Sequence, residues 1–175
     1  MNKHKRFILI GSLAVASLIA TQAEAGQRSR SHSGPYVDRS VQAQGAQGLG
    51  YQRSAQTTGV NGGTHNSAIN AGGGNGYSRQ SSTSRANGGS RSVDASATQA
   101  GGYQRTVSGS NAYGASHSGS VSAGNGSYNR DTSTATASGA SRSVSASGSQ
   151  GEGYSRTVTK TDANGNTTQK THGSP

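Results

Sequence analysis

The chain has 175 residues but no cysteine and no tryptophan, and its one phenylalanine and one methionine are Phe7 and Met1. Without cysteine there is no disulfide, no thiol nucleophile and no lipid attachment through a lipobox. Beyond residue 25 only ten large aliphatics remain, among them Val37, Leu49, Ile69 and Val158. That is far below the roughly 20% Leu, Ile, Val and Phe under which a chain struggles to order itself. A conventional globular core is excluded. Either the chain is disordered, or stacked repeats let backbone ladders and small side chains replace the core.

Acidic residues are also scarce. Asp38, Asp94, Asp131, Glu152 and Asp162 are scattered without pairing, and no Gly-x-Ser-x-Gly lies between a strand and a helix. A preorganised catalytic site needs a rigid supporting shell, so the composition predicts a non-enzymatic protein with no catalytic residues and no cofactor. Metal ligands are equally sparse. His65 and His117 hold matching places, and Asp162-x-Asn164-x-Asn166 has calcium-loop spacing without the distant glutamate; both read as turns and solvated groups, and no metal is expected.

The one long apolar run is N-terminal. Lys3, Lys5 and Arg6 precede Phe7 to Ala20, and Ala23-Glu24-Ala25 makes a small-x-small box. Residues 1–25 therefore read as a secretory signal peptide, too short to span a bilayer of about 30 Å comfortably. Export to the periplasm, the cell surface or the medium is expected, with no membrane span after cleavage. Residues 26–48 carry Arg28, Arg30 and His32 without clear periodicity and read as a flexible, disordered basic N-terminal arm. Residues 49–175 form the repeat region.

What is present there is a beat. Tyr51 and Arg53, Tyr77 and Arg79, Tyr103 and Arg105, Tyr128 and Arg130, and Tyr154 and Arg156 recur at tyrosine intervals of 26, 26, 25 and 26 residues. A longer period overlies it: Ser90-Arg91-Ser92-Val93 returns as Ser141-Arg142-Ser143-Val144, 51 residues later. Fixed periods of this size mark arrayed repeats. Within a unit the alternation has period two, with Tyr154, Arg156, Val158 and Lys160 on one face and Ser155, Thr157, Thr159 and Thr161 on the other. Turn residues such as Gly124-Asn125-Gly126 and Asp162-Ala163-Asn164-Gly165 fall between these segments. The expected fold is an all-β repeat, about two short strands per 26-residue unit, as a β-solenoid or a long antiparallel meander. The alternative is a largely disordered chain.

The strand–turn–strand–turn repeat behind a signal peptide resembles the curlin family, secreted subunits of bacterial amyloid fibres. The resemblance is architectural and covers the region from about Leu49 onward. The fixed positions here are Tyr and Arg where curlin units carry Gln and Asn, so no family residue roles transfer. What it implies is an amyloid-like, self-associating fibre of a biofilm matrix.

The charge balance suggests a partner. Beyond residue 25, eleven of the thirteen basic residues are arginine. Arginine offers a planar fork to carboxylate, phosphate or sulfate and stacks on rings. Regular Tyr-x-Arg units read either as packing for a thin core or as a platform for sugars or bases beside an anion-attracting column. The expected function is a structural repeat protein of the cell surface or matrix that self-associates and contacts anionic polymers, extracellular DNA or acidic glycans. The alternative is a disordered basic envelope protein coating DNA, acidic polysaccharide or lipopolysaccharide.

Overall fold

A computed structural model describes residues 26–46, 50–72, 76–98 and 102–174. The expected signal peptide, 1–25, lies outside the described residues, as does Leu49. The strands are β1 (Gly26–Ser33), β2 (Val37–Ala46), β3 (Gly50–Gly59), β4 (Thr64–Ala71), β5 (Tyr77–Ser84) and β6 (Ser90–Thr98). They continue as β7 (Gly102–Ser110), β8 (Ser116–Gly124), β9 (Ser127–Ala135), β10 (Ser141–Ser149), β11 (Gly153–Thr161) and β12 (Thr167–Ser174). All belong to one antiparallel sheet whose spatial order is the sequence order.

The fold is thus the meander, at two strands per repeat. Each strand pairs with the next through a short hairpin, whereas a solenoid would pair corresponding strands of successive rungs. Alternating Ser, Thr and Val residues favour extended backbone, and the polar turns close it before a helix can start.

The sheet also takes in the segment expected to be a flexible arm. Residues 26–46 supply β1 and β2, paired from Gly26↔Gly45 to Ser33↔Asp38. They lack the Tyr-x-Arg pair that marks later units but keep the period-two code. Arg28, Arg30 and His32 alternate with Ser29 and Ser31, as Val37, Arg39 and Val41 alternate with Asp38 and Ser40. Alternation alone suffices to extend the ladder.

The hairpins differ at the two ends of the strands. At one end, β3–β4, β5–β6, β7–β8, β9–β10 and β11–β12 share one loop. In the first of them Gly59 N–H donates to Gly63 O (2.8 Å) and Gly62 N–H to Gly59 O (2.9 Å). The wide bond recurs from Arg85 to Gly89, Asn111 to Ala115, Thr136 to Ala140 and Asp162 to Asn166. The third loop residue is always a glycine with φ from 77° to 87°, the left-handed residue that ends a three-residue hairpin loop. At the other end, β8 and β9 meet through Asn125-Gly126, with φ of 50° and 73°, a type I′ turn.

That tight turn explains the one short interval. Ala97 opposes Tyr103 and Gly148 opposes Tyr154, six residues along the chain in each case, while Ala123 opposes Tyr128 only five residues on. The missing residue is lost from the turn, not from a strand. Every strand keeps its facing, and the 25-residue step is silent in the ladder.

There is almost no interior. Ala146, 7% exposed, is the one buried hydrophobic residue among those described. The sheet is a single layer held by its ladder and by cross-strand pairs worth about 0.2–1 kcal/mol each. Two glycines separate backbone strain from collision. Gly102 has φ 76°, and a Cβ there would run into the Ala123 carbonyl oxygen of β8. Gly139 has φ 87° and open space around it. Gly139→Ala is expected to cost about 1–2 kcal/mol, from left-handed backbone alone. Gly102→Ala should cost clearly more, by about 1 kcal/mol or above, because β7 and β8 must separate. Urea melts of the two variants check the order.

Candidate polyanion-binding face

Directly opposed residues of an antiparallel ladder share a face, and successive residues of a strand alternate between faces. The register therefore assigns every strand residue to one of two surfaces.

The first surface is built in rows that cross the strands. Tyr51 on β3 lies between Gly45 and Ala71, and Tyr77 on β5 between Ala71 and Ala97. Tyr103 on β7 lies between Ala97 and Ala123, Tyr128 on β9 between Ala123 and Gly148, and Tyr154 on β11 between Gly148 and Ser174. A tyrosine thus stands on every second strand with a small residue between. The gaps let rings lie along the sheet. A Cβ added to Gly45 would meet Tyr51 Cδ2 at 3.6 Å, and one on Gly148 would meet Tyr154 Cδ2 at 3.5 Å. The outward ring faces stay open, with Tyr77, Tyr103, Tyr128 and Tyr154 exposed by 37%, 38%, 36% and 44%.

Two residues along each strand, about 7 Å away, runs a parallel row of arginines. Arg53 sits between Ala43 and Ile69, Arg79 between Ile69 and Ala95, and Arg105 between Ala95 and Val121. Arg130 follows between Val121 and Ala146, and Arg156 between Ala146 and His172. Apolar neighbours flank the aliphatic stems, save for His172 beside Arg156, while the guanidinium heads reach water. Two strands separate neighbouring arginines, about 9.6 Å. At that distance their repulsion is about 0.4 kcal/mol in water before screening, and the spacing is close to the Debye length. Arginines on every strand would stand half as far apart and repel much more strongly.

The next row is uncharged on the ten inner strands and includes the Val93–Val107 and Val144–Val158 pairs. Beyond it a second basic row runs mainly on the other set of strands, with Arg39, His65, Arg91, His117 and Arg142 on β2, β4, β6, β8 and β10; Lys160 on β11 joins it directly opposite Arg142, and His32 on β1 directly opposite Arg39. The 51-residue period now has a spatial meaning, since Arg91 and Arg142 are every second member of this row. The arginines of the first row stand on odd strands and those of the second on even strands, which spreads most of the charge like a checkerboard; Arg142 and Lys160, side by side on β10 and β11, are the exception. The single-beat reading of the sequence missed this row because its arginines and histidines alternate. The signal was there in the paired positions of His65 and His117.

Every arginine and lysine carried by a strand lies on this surface; among the described residues the remaining one, Arg85, is in the β5–β6 hairpin loop. The strand-borne carboxylates Asp38, Asp94 and Asp131 are all on the opposite surface. There Ser33 donates to Asp38 and Ser145 to Asp131. The same side carries amide and hydroxyl ladders, with Gln44 Nε2 donating to Gln52 Oε1 (2.6 Å), Ser92 Oγ 2.7 Å from Ser108 Oγ, and Thr157 Oγ1 3.1 Å from Thr171 Oγ1. One surface is basic and aromatic, the other small, polar and weakly acidic.

Two tyrosines outside the beat, Tyr36 and Tyr113, sit in loops at the far end and are 78% and 83% exposed. His65 and His117 are four strands apart, about 19 Å, with His65 Nδ1 instead 2.8 Å from Thr83 Oγ1. Among the described residues no group of three or more His, Cys, Asp and Glu could hold a metal ion. No protein-family model, curated protein or solved structure matches the chain.

The calcium-like spacing at Asp162 serves the loop itself. Asp162 Oδ1 accepts from the Asn164 and Asn166 backbone N–H groups (2.9 and 2.8 Å), and Oδ2 from Asn166 Nδ2 (2.8 Å). Asn111 does the same in the β7–β8 loop, accepting from Tyr113 and Ala115 N–H at 2.9 Å each. The Asn166 side chain first, then its backbone N–H, lowers the Asp162 carboxyl below its ordinary 3.8. A depressed carboxyl contributes stability above its unfolded value and loses it as pH falls through the folded one. Asp162 should therefore titrate below 3.8 by carboxyl NMR, with the β11–β12 hairpin fraying in that acid range. Asp162→Asn should remove the pH dependence and keep the loop, as Asn111 does.

Proposed function

We propose that the chain is a secreted, non-enzymatic structural repeat protein of the cell surface or extracellular matrix, whose basic face contacts anionic polymers and which self-associates. One observation carries the reading: the ladder register puts all strand-borne arginine and lysine on one face and the strand-borne carboxylates on the other. A solubility charge gives no reason for such sorting. A polymer laid on that face meets cations in rows and releases counterions from its whole contact length. The architectural resemblance to curlin subunits supports the matrix setting.

The sheet edges give self-association a route and a condition. β1 and β12 are each 8 residues long and each has one neighbour. Twelve strands is an even number, so β1 of a second copy would follow β12 in antiparallel sense with the same face outward. The rows then continue from copy to copy, but Arg28 meets His172 and Arg30 meets Lys170. Arg30 and Lys170 lie in the row that is uncharged on every inner strand. Cations at edges oppose strand addition, and like charges directly opposite destabilise a pair. An anionic polymer lying across the junction offsets that repulsion, which makes assembly depend on the polymer.

Two measurements test this. The first exchanges each arginine of the Tyr-x-Arg units with its following residue, as in Arg53→Ser with Ser54→Arg, so that composition is constant and charge appears on both faces. Affinity for a heparin-type polyanion is expected to fall at least tenfold with a shallower salt dependence. Unchanged affinity would instead favour a disordered basic binder, for which register is irrelevant. The second is the double change Arg30→Val and Lys170→Val. It should form oligomers by sedimentation in low salt without polymer, where the unmodified chain stays monomeric.

A further inference from the structure

The rows of the basic face have a period as well as a charge, and the period narrows the class of polymer. Tyrosines and arginines of the Tyr-x-Arg units advance together, one pair for every two strands, about 9.6 Å. The arginines are therefore sparse along their row. Duplex DNA carries a charge every 1.7 Å or so of its axis, far denser than the row can match. Its bases are stacked inside, which leaves the tyrosine faces without a partner.

The tyrosine row adds an independent constraint. Small neighbours such as Gly45 and Gly148 let the rings of Tyr51 and Tyr154 lie along the sheet, and four rings in the row keep their outer faces open. Flat, half-exposed rings at fixed intervals suit a ligand with flat apolar patches at the same intervals. The C–H face of a pyranose ring is such a patch, and the phenol hydroxyl can bond to ring substituents. In an extended β-linked glycan the same sugar returns every disaccharide, a step comparable to the span of two strands.

Resting on the reading that this face contacts anionic polymers, we propose that it binds an acidic polysaccharide carrying one carboxylate per disaccharide, extended across the strands. Alternate sugar rings rest on the tyrosine row. The carboxylates reach the parallel row at Arg53, Arg79, Arg105, Arg130 and Arg156, where each guanidinium fork takes one in a bidentate contact. Charge complementarity fixes the face, and the shared period fixes the direction of the chain. The second cationic row lies about 13 Å away across the uncharged row, so it attracts the polymer without taking part in the tyrosine contacts.

The test compares three probes on the folded, unmodified chain: hyaluronan, with one carboxylate per disaccharide; a homopolyuronate, with one on every sugar; and duplex DNA. Hyaluronan should bind at least as tightly as the homopolyuronate despite half the charge density. A homopolyuronate or DNA preference above tenfold would overturn the proposal and leave the general polyanion reading standing. Failure of all three to bind would sink both. The pair Tyr77→Ser with Tyr103→Ser, at unchanged charge, should lose at least tenfold for hyaluronan and under twofold for DNA. Tyr77→Phe with Tyr103→Phe keeps the rings and guards against a folding artefact; it should stay within threefold of the unmodified chain. Equal losses for glycan and DNA in the serine pair, with an intact β spectrum, would make the tyrosines packing groups and overturn the proposal.

Discussion

The antiparallel register is the constraint on which the rest of this molecule depends. Side chains alternate with a period of two, so a slip of one residue in any hairpin would transfer a whole strand's arginine and tyrosine to the polar surface. A globular protein resists such a slip by burying one face. This sheet buries almost nothing, and the task falls to the turns. Five hairpins at one end share the same loop with a left-handed glycine in the same place. At the other end, loops of different length still bring Ala123 to Tyr128 and Gly148 to Tyr154.

Once the register is held, the electrostatics follow from spacing. Opposite charges are parted by the sheet itself, with Asp38 and Asp131 held by serine hydroxyls rather than by arginines. Most like charges are spread by using odd strands for one row of arginines and even strands for the other, with Arg142 and Lys160 the one directly opposed pair. Small and apolar residues flank the arginine stems, and valine, alanine, serine, threonine and glycine share the uncharged row between. Eight of the ten aliphatics that cannot make a core stand on this face. Ala146, deepest of the apolar residues, lies between Arg130 and Arg156.

Much of the architecture was legible in the residues. The Tyr-x-Arg beat and the Ser/Thr alternation imply strands with Tyr, Arg and Val on a common face, and the structure places Tyr154, Arg156, Val158 and Lys160 there. Solenoid and meander could not be told apart because both spend two strands on a unit; the difference lies in which strands pair. The segment 26–46 was hidden for another reason. It has the alternation without a Tyr-x-Arg pair, and a reading keyed to that pair passes over it. The sorting of aspartate from arginine also escaped notice, although Asp131 directly follows Arg130 and so must point the other way on a strand.

The two-strand repeat makes the width of the basic face a discrete variable. Each added unit lengthens the molecule by about 9.6 Å across the strands, leaves the direction of the last strand unchanged, and returns the same two borders. Insertion of a single strand would reverse the polarity of everything after it. Gain or loss of whole units by duplication or deletion can therefore tune how much polymer one molecule covers, without redesign of any turn, row or edge.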